Sequence, residues 1–160
     1  MTPVLLALLG LFAPKATTPI LPANEVMATL VQGPKGVPVL ELHELACVFQ
    51  EGEPDALPYT AQTGEDCGRV NRASGELRKK NFKRLRLRAG KYIVRALNVN
   101  SPFTVAFELR GERDVALPKV EAKDIAPGTG KEMPITFEPG LYIYRDPVAQ
   151  TAAYEILVER

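Results

Sequence analysis

From Phe82 to the C terminus the chain alternates between apolar and polar positions in short runs. In FKRLRLR (82–88), Leu85 and Leu87 fall on one side, while Arg84, Arg86 and Arg88 fall on the other. A period of two marks a strand with one buried face. KYIVRALNV (91–99), FTVAFEL (103–109), KVEAKDI (119–125), KEMPITF (131–137), LYIYR (141–145) and AAYEILVE (152–159) follow it. Turn formers separate them: Ala89-Gly90, the stretch from Asn98 to Pro102, Arg110 to Asp114, Pro127 to Gly130, and Glu138 to Gly140. Turns at roughly every eight to twelve positions predict about seven strands, a mainly β chain and a Greek-key β-sandwich.

The first half is less regular. VPVLELHEL (37–45) alternates and predicts one half-buried strand. Residues 50–81 are rich in Gly, Pro and acids and read as loop. So long a loop within a compact domain is either functional or a sign of a misread element. Asn24 is placed to cap a short helix over EVMATLVQ (25–32) that stops at Gly33. Pro34, Gly36 and Pro38 then keep the chain extended. The expected division is an apolar N-terminal docking segment (1–36), an extended loop-rich region (37–81) and the sandwich (82–160).

The run VLLALLGLFA (4–13) is unbroken and apolar. A membrane-spanning helix needs about twenty such residues, so this run is too short to cross. It has the length of a signal-peptide core, but no Lys or Arg precedes it and Pro14 spoils the cleavage site. An exposed apolar helix is an aggregation liability, so the run calls for a cover. Docking of Val4, Leu5, Leu6, Leu8, Leu9, Leu11 and Phe12 to a membrane surface or a partner subunit is the leading reading. Packing on the chain's own domain and an uncleaved signal are the alternatives.

Composition adds a core and removes some chemistry. The 160 residues are 46% hydrophobic, enough to bury a real core, and hold 14 prolines. Net charge is +1, so the overall balance selects no partner. Its distribution is uneven: acids and no Lys or Arg lie between Glu41 and Asp66, and basic residues dominate from Arg69 to Lys91. Arg84, Arg86 and Arg88 then form a candidate face for an anionic protein, lipid or small ligand. The contrary reading is that the two blocks neutralise each other in the fold. Nucleic acid would call for exposed aromatics among the cations, and Phe82 and Tyr92 fit a core better.

Two cysteines, Cys47 and Cys67, lie twenty positions apart beside turn formers. They suit a disulfide across a loop-rich segment, which requires an oxidising compartment; two separate thiols are the alternative. The single histidine, His43, with no second cysteine pair, makes a zinc site a poor expectation. No serine nucleophile signature is present, and Gly128-Thr129-Gly130-Lys131 lacks the spacing of a phosphate loop.

Two stretches resemble the cupredoxin-like family. LRLRAGKYIVRALNVNSPFTVAFELRG (85–111) is similar to the front of such a domain. There, an Ala-Gly turn leads into a strand ending in Asn, and an Asn-Ser-Pro step opens the next strand. AKDIAPGTGKEMPITFEPGLYIYRDPVAQTAAYEILVE (122–159) is similar to its end. The resemblance covers roughly residues 82–160 and implies the sandwich fold. In copper-binding members it implies a His from the mid-domain loop and Cys, His and often Met near the last turn. The corresponding places here are Pro102-Phe103 and Arg145, and no His or Met lies between Asp146 and Ala153. His43 and Met133 are too isolated to rebuild a site, so no copper, other metal or cofactor is expected.

The reading that follows is a non-enzymatic accessory subunit of a membrane-associated complex on the extracytoplasmic, periplasmic side. A respiratory or photosynthetic assembly is the host by analogy. Its partners are other subunits and a membrane surface, not nucleic acid. The alternative is a soluble binding module that uses the basic strand face. A redox or metal protein built on His43 or the cysteines is the least favoured.

Overall fold

The computed structural model describes residues 22–57 and 59–160. Two mixed sheets pack face to face. The first has six strands in the order β1 (Glu25–Met27), β5 (Arg84–Arg88), β11 (Tyr154–Glu159), β10 (Gly140–Arg145), β7 (Val105–Gly111) and β8 (Val120–Ile125). The second runs β2 (Leu30–Gln32), β3 (Pro38–Leu45), β6 (Gly90–Asn98) and β9 (Gly130–Phe137), with β4 (Val48–Phe49) folded back on β3. Pairs β3–β6, β5–β11 and β1–β5 are parallel; the others are antiparallel. One helix, α1 (Gly64–Arg78), lies between β4 and β5.

The alternation fixes which side of each strand is inside. Leu85 and Leu87 of β5 enter the core, as do Tyr92, Val94 and Ala96 of β6, and Tyr142 and Tyr144 of β10. At the centre Phe49 meets three aromatic rings edge-on: Tyr144 at 5.2 Å, Tyr154 at 5.9 Å and Phe107 at 6.0 Å. Edge-on pairs of this kind add to the burial of area alone.

The sandwich does not begin at residue 82, as the sequence division has it. Strand β3 sits between β2 and β6, with Leu40 and Leu42 buried in the main core. Residues 37–49 therefore belong to the sandwich and not to an extended loop-rich region. The expected helix over residues 25–32 is two strands instead. Val26 pairs with Leu85 in one sheet, and Val31 pairs with Val39 in the other. Eight residues are too few to hold a helix by themselves, and β-branched Val26 and Val31 suit the sheet edges better.

The expected loop also hides α1. Its N-terminus is set by a capping box: Thr63 Oγ1 accepts from the Asp66 amide at 3.2 Å, and Asp66 Oδ2 accepts from the Thr63 amide at 2.9 Å. The helix has almost no apolar face. Its buried residues are Cys67, Gly68 and Gly75. No described helix is long and apolar enough to cross a membrane. The proposed docking residues Val4 to Phe12 lie outside the described residues.

Candidate functional site

At one end of the sandwich the β3–β4 turn, the β6–β7 loop and the β10–β11 loop converge. Asn98, the last residue of β6, braces the β6–β7 loop against the end of β8: its side chain donates to the Phe103 carbonyl at 2.9 Å and the Ile125 carbonyl at 3.2 Å, and accepts from the Ser101 amide at 3.1 Å. Asn100 Oδ1 accepts from the Ala46 amide at 2.8 Å. Asp146, directly after β10, is fully buried. Its Oδ1 accepts from the Ala106 amide at 3.1 Å and the Val148 amide at 2.7 Å, and its own amide donates to Thr151 Oγ1 at 2.9 Å.

Glu44, near the end of β3, reaches the same place with only 2% of its surface exposed. There it lies close enough to Asp146 for the two carboxyls to act on each other. Burial, and then the charge and hydrogen bond of Asp146, push Glu44 up to about 11. Burial also raises Asp146, although the contact with Glu44 and the amides of Val148, Ala149 and Ala106 act the other way. Asp146 is thus the better anion and Glu44 carries the proton. One oxygen on each carboxyl, Glu44 Oε1 and Asp146 Oδ2, is buried without a hydrogen-bond partner among the described residues. A proton shared between the two groups is what such burial requires.

A small second core closes this end. Cys47 and Cys67 form the expected disulfide, and with Ala46, Ala61 and Ala149 they make a cluster against which Tyr59 and Phe103 pack. The disulfide fastens α1 to the β3–β4 turn. Polar ties do the rest. Asn71 Nδ2 donates to the Cys47 carbonyl at 3.1 Å. Arg78 Nη1 donates to both oxygens of Glu53 at 2.7 and 2.8 Å, and the Tyr154 hydroxyl donates to Glu53 Oε1 at 2.6 Å. The Arg78 guanidinium also lies over the Tyr59 ring at 5.4 Å.

The Arg78–Glu53 pair is buried enough for its loss to be expensive. Removing one partner of a buried pair leaves the other charge uncompensated, at about 3–5 kcal/mol. Arg78→Met is expected to lower stability by about 3 kcal/mol in urea unfolding, toward the lower end of that range. Adding Glu53→Leu is expected to restore much of the loss. A double variant no better than Arg78→Met would show that packing, not charge, is what Arg78 supplies.

The arginine row is not free, contrary to the sequence expectation. Arg84 pairs with Glu25 and Glu155, and Arg86 with Glu25 and Glu159. These carboxylates come from the flanking strands β1 and β11, which the sequence division places in other segments or at a distance. Among the described residues Arg88 makes no ion pair, and it is exposed. A single exposed cation is a poor anion site.

Beside α1 runs a groove of about 760 Å³, lined by Arg72, Gly75 and Lys79 of the helix, by Phe82, and by Ile143 and Thr151 of the sheet side. Its charges are mixed: Lys83 and Arg84 line it together with Glu112 and Glu155.

The loop end does not suit copper. Copper sites of this fold want imidazole, thiolate and thioether. The groups that converge here are two carboxyls, two asparagines and a serine, and both cysteines are consumed in the disulfide. His43 is elsewhere in its bonding: its Nδ1 lies 2.6 Å from Glu51 Oε1, and its amide donates to Glu51 Oε2 at 2.9 Å. Met133 is buried opposite Val94 within the sandwich. Among the described residues no group of three His, Cys, Asp or Glu could hold a metal ion.

Neither a protein-family model nor a curated protein matches the chain. Among solved structures it is similar to reduced rusticyanin, with 13% identity, 87% of each chain covered and a TM-score of 0.47. A second structure, of the copper protein rusticyanin, covers 88% of this chain and 86% of its own at 13% identity and a TM-score of 0.47. A rusticyanin variant gives 13% identity, 88% and 86% coverage and a TM-score of 0.44. The parallel pairs β3–β6 and β5–β11 and the antiparallel pair β10–β11 define a mixed two-sheet β-sandwich. The chain folds as a two-sheet β-sandwich whose loop end holds two buried carboxyls under a disulfide-fastened helix.

Proposed function

We propose that this protein is a non-enzymatic accessory subunit of a membrane-associated assembly on the extracytoplasmic side. The observation that carries the reading is the sealed loop end. The place where such a sandwich can carry redox chemistry is filled by Glu44, Asp146 and the small core around Cys47–Cys67, and α1 lies over it. What is left to the domain is shape and surface. The disulfide supports an oxidising compartment. The apolar run from Val4 to Ala13 supports attachment to lipid or to a membrane-embedded partner.

The alternative, a soluble module that grips an anionic ligand through β5, has less support, because Arg84 and Arg86 are already engaged by carboxylates of their own fold. Membranes from the native source, solubilised gently and run in a native gel, separate the two readings. Migration of the chain within a large complex, identified by mass spectrometry, is the expected result. Recovery of the chain alone in the soluble fraction would sink the accessory-subunit reading.

A further inference from the structure

Glu44 and Asp146 belong to different sheets, and the loop that begins at Asp146 is the surface on which α1 rests. We propose that the Glu44–Asp146 contact is a proton-operated latch, which seats the β10–β11 loop and α1 while one proton is shared and releases them as that proton is lost. This goes beyond the accessory-subunit reading and does not depend on it.

The geometry makes the pair a joint between elements. Asp146 organises its loop from both ends: Oδ1 takes the Val148 amide, its amide gives to Thr151 Oγ1, and its carbonyl takes the Thr151 amide at 3.1 Å. Helix α1 touches the same loop along its length. A Cβ on Gly64 would come within 2.4 Å of the Val148 carbonyl oxygen, and one on Gly68 within 2.7 Å of Gln150 Oε1. Arg72 Nη1 donates to Gln150 Oε1 at 2.8 Å, and Ala149 is buried beside the disulfide. If the loop moves, α1 loses its seat. One wall of the 760 Å³ groove, from Gln150 to Ala153, moves with it.

The surroundings offer the second negative charge no cation. The strand pairings set Phe49 of β4 and Asn98 of β6 beside Glu44. From β7 the pair meets the Ala106 amide; from α1, disulfide-bonded Cys67 and neutral Asn71 reach the second core, and the cation that reaches that loop, Arg72, bonds to Gln150 instead. Asp146 is the one charged group that acts on Glu44, and Glu44 the one that acts on Asp146. Tyr144, two residues before Asp146, is raised by burial and by Glu51, Tyr154 and Glu53 instead. A doubly ionised pair is therefore two like charges in a dry place, which favours opening toward water.

The sign follows from the direction of the Glu44 shift. The closed loop holds a proton that the open loop, with Glu44 in water near its ordinary value of 4.5, has lost. Closure is then strongest at acid pH and weakens as pH rises from about 5 toward 11, by up to about tenfold per unit in the opening equilibrium.

Amide hydrogen exchange on the full, disulfide-intact chain reads this directly, with rates normalised to their intrinsic values at each pH between about 5 and about 8. Protection at Val148, Thr151 and the middle of α1 is expected to fall by up to about tenfold per pH unit, and to stay below that of Val94 in β6. In Glu44→Gln, which keeps a donor and loses the titration, it is expected to be flat. Asp146→Asn removes the like charge but leaves Glu44 buried, so its slope is expected to persist and to end at a lower pH; Glu44→Leu, which cannot titrate, is expected to be flat and serves if Glu44→Gln does not fold. Flat protection in the unchanged protein, or the same slope in Glu44→Gln, would overturn the latch. So would loop protection equal to that of Val94 at every pH, because the loop would then open only with the whole domain.

Discussion

Phe49→Ala is expected to lower the unfolding free energy by about 4 kcal/mol, the largest single-residue effect in the protein. Phe49 is 1% exposed and stands edge-on to Phe107, Tyr144 and Tyr154, which come from three different strands of the opposite sheet. Truncation leaves a void that those rigid rings cannot fill, so the cavity cost adds to the lost transfer energy. Phe82→Ala is the internal control. Phe82 also packs on Tyr154, its ring tilted by 41° at 4.9 Å, but it lies at the half-buried margin and should cost markedly less. Urea unfolding monitored by tyrosine fluorescence measures both. Equal costs would show that the three-ring contact of Phe49 contributes nothing beyond its buried area.

Replacing both Cys47 and Cys67 by alanine is expected to cost about 3 kcal/mol, the value for a closed loop of this length in the chain-entropy treatment. The location of the effect is more informative than its size. A helix that buries only Cys67, Gly68 and Gly75 has no hydrophobic stripe to dock with. With the covalent tie gone, α1 depends on Asn71, Arg72 and the Arg78–Glu53 pair. The double variant should keep the strand signal in circular dichroism and lose part of the helical one. Exchange protection should fall first between Gly64 and Arg78. A uniform loss of protection across β6 and α1 would mean that the disulfide stabilises the sandwich as a whole. In the unaltered protein both cysteines are 0% exposed, so a reductant should act slowly unless the domain first opens.

The strands from β5 to β11 were legible because most show a period of two and are separated by Gly, Pro or Asn. The expected runs agree with the observed strands to within about two residues at most ends, as KEMPITF does with Gly130–Phe137. Strand β3 was equally legible as VPVLELHEL, but its place was not. Nothing local says that it pairs in parallel with β6, some fifty positions on. The irregular spacing of the acidic stretch then suggested a linker where the sandwich had already begun.

Helix α1 failed the usual test because its docking is covalent and polar, so no apolar spacing at three and four residues exists to be found. A local sign was present: Thr63 followed three residues later by Asp66, which is where the capping box forms. At the site, the cysteine pair could be anticipated from spacing and neighbours. The carboxyl pair could not. Glu44 reads as one acid in an acidic stretch, and Asp146 as a residue in the place of a ligand. Only the meeting of the two sheets joins them. The arginine row was found correctly as a row and misjudged as free, because Glu25, Glu155 and Glu159 reach it only through strand pairing.

The parallel pairing of β5 with β11 has a consequence for how the chain is made. Leu85 stands opposite Ile156, so β5 waits for the last strand before its inner neighbour exists. Until then the six-stranded sheet is split, with β1 and β5 on one side of the gap and β10, β7 and β8 on the other. Contacts this distant in sequence make closure slow, because the intervening chain must first be brought into place. A growing polypeptide of this sequence therefore cannot close the six-stranded sheet until Tyr154–Glu159 has emerged.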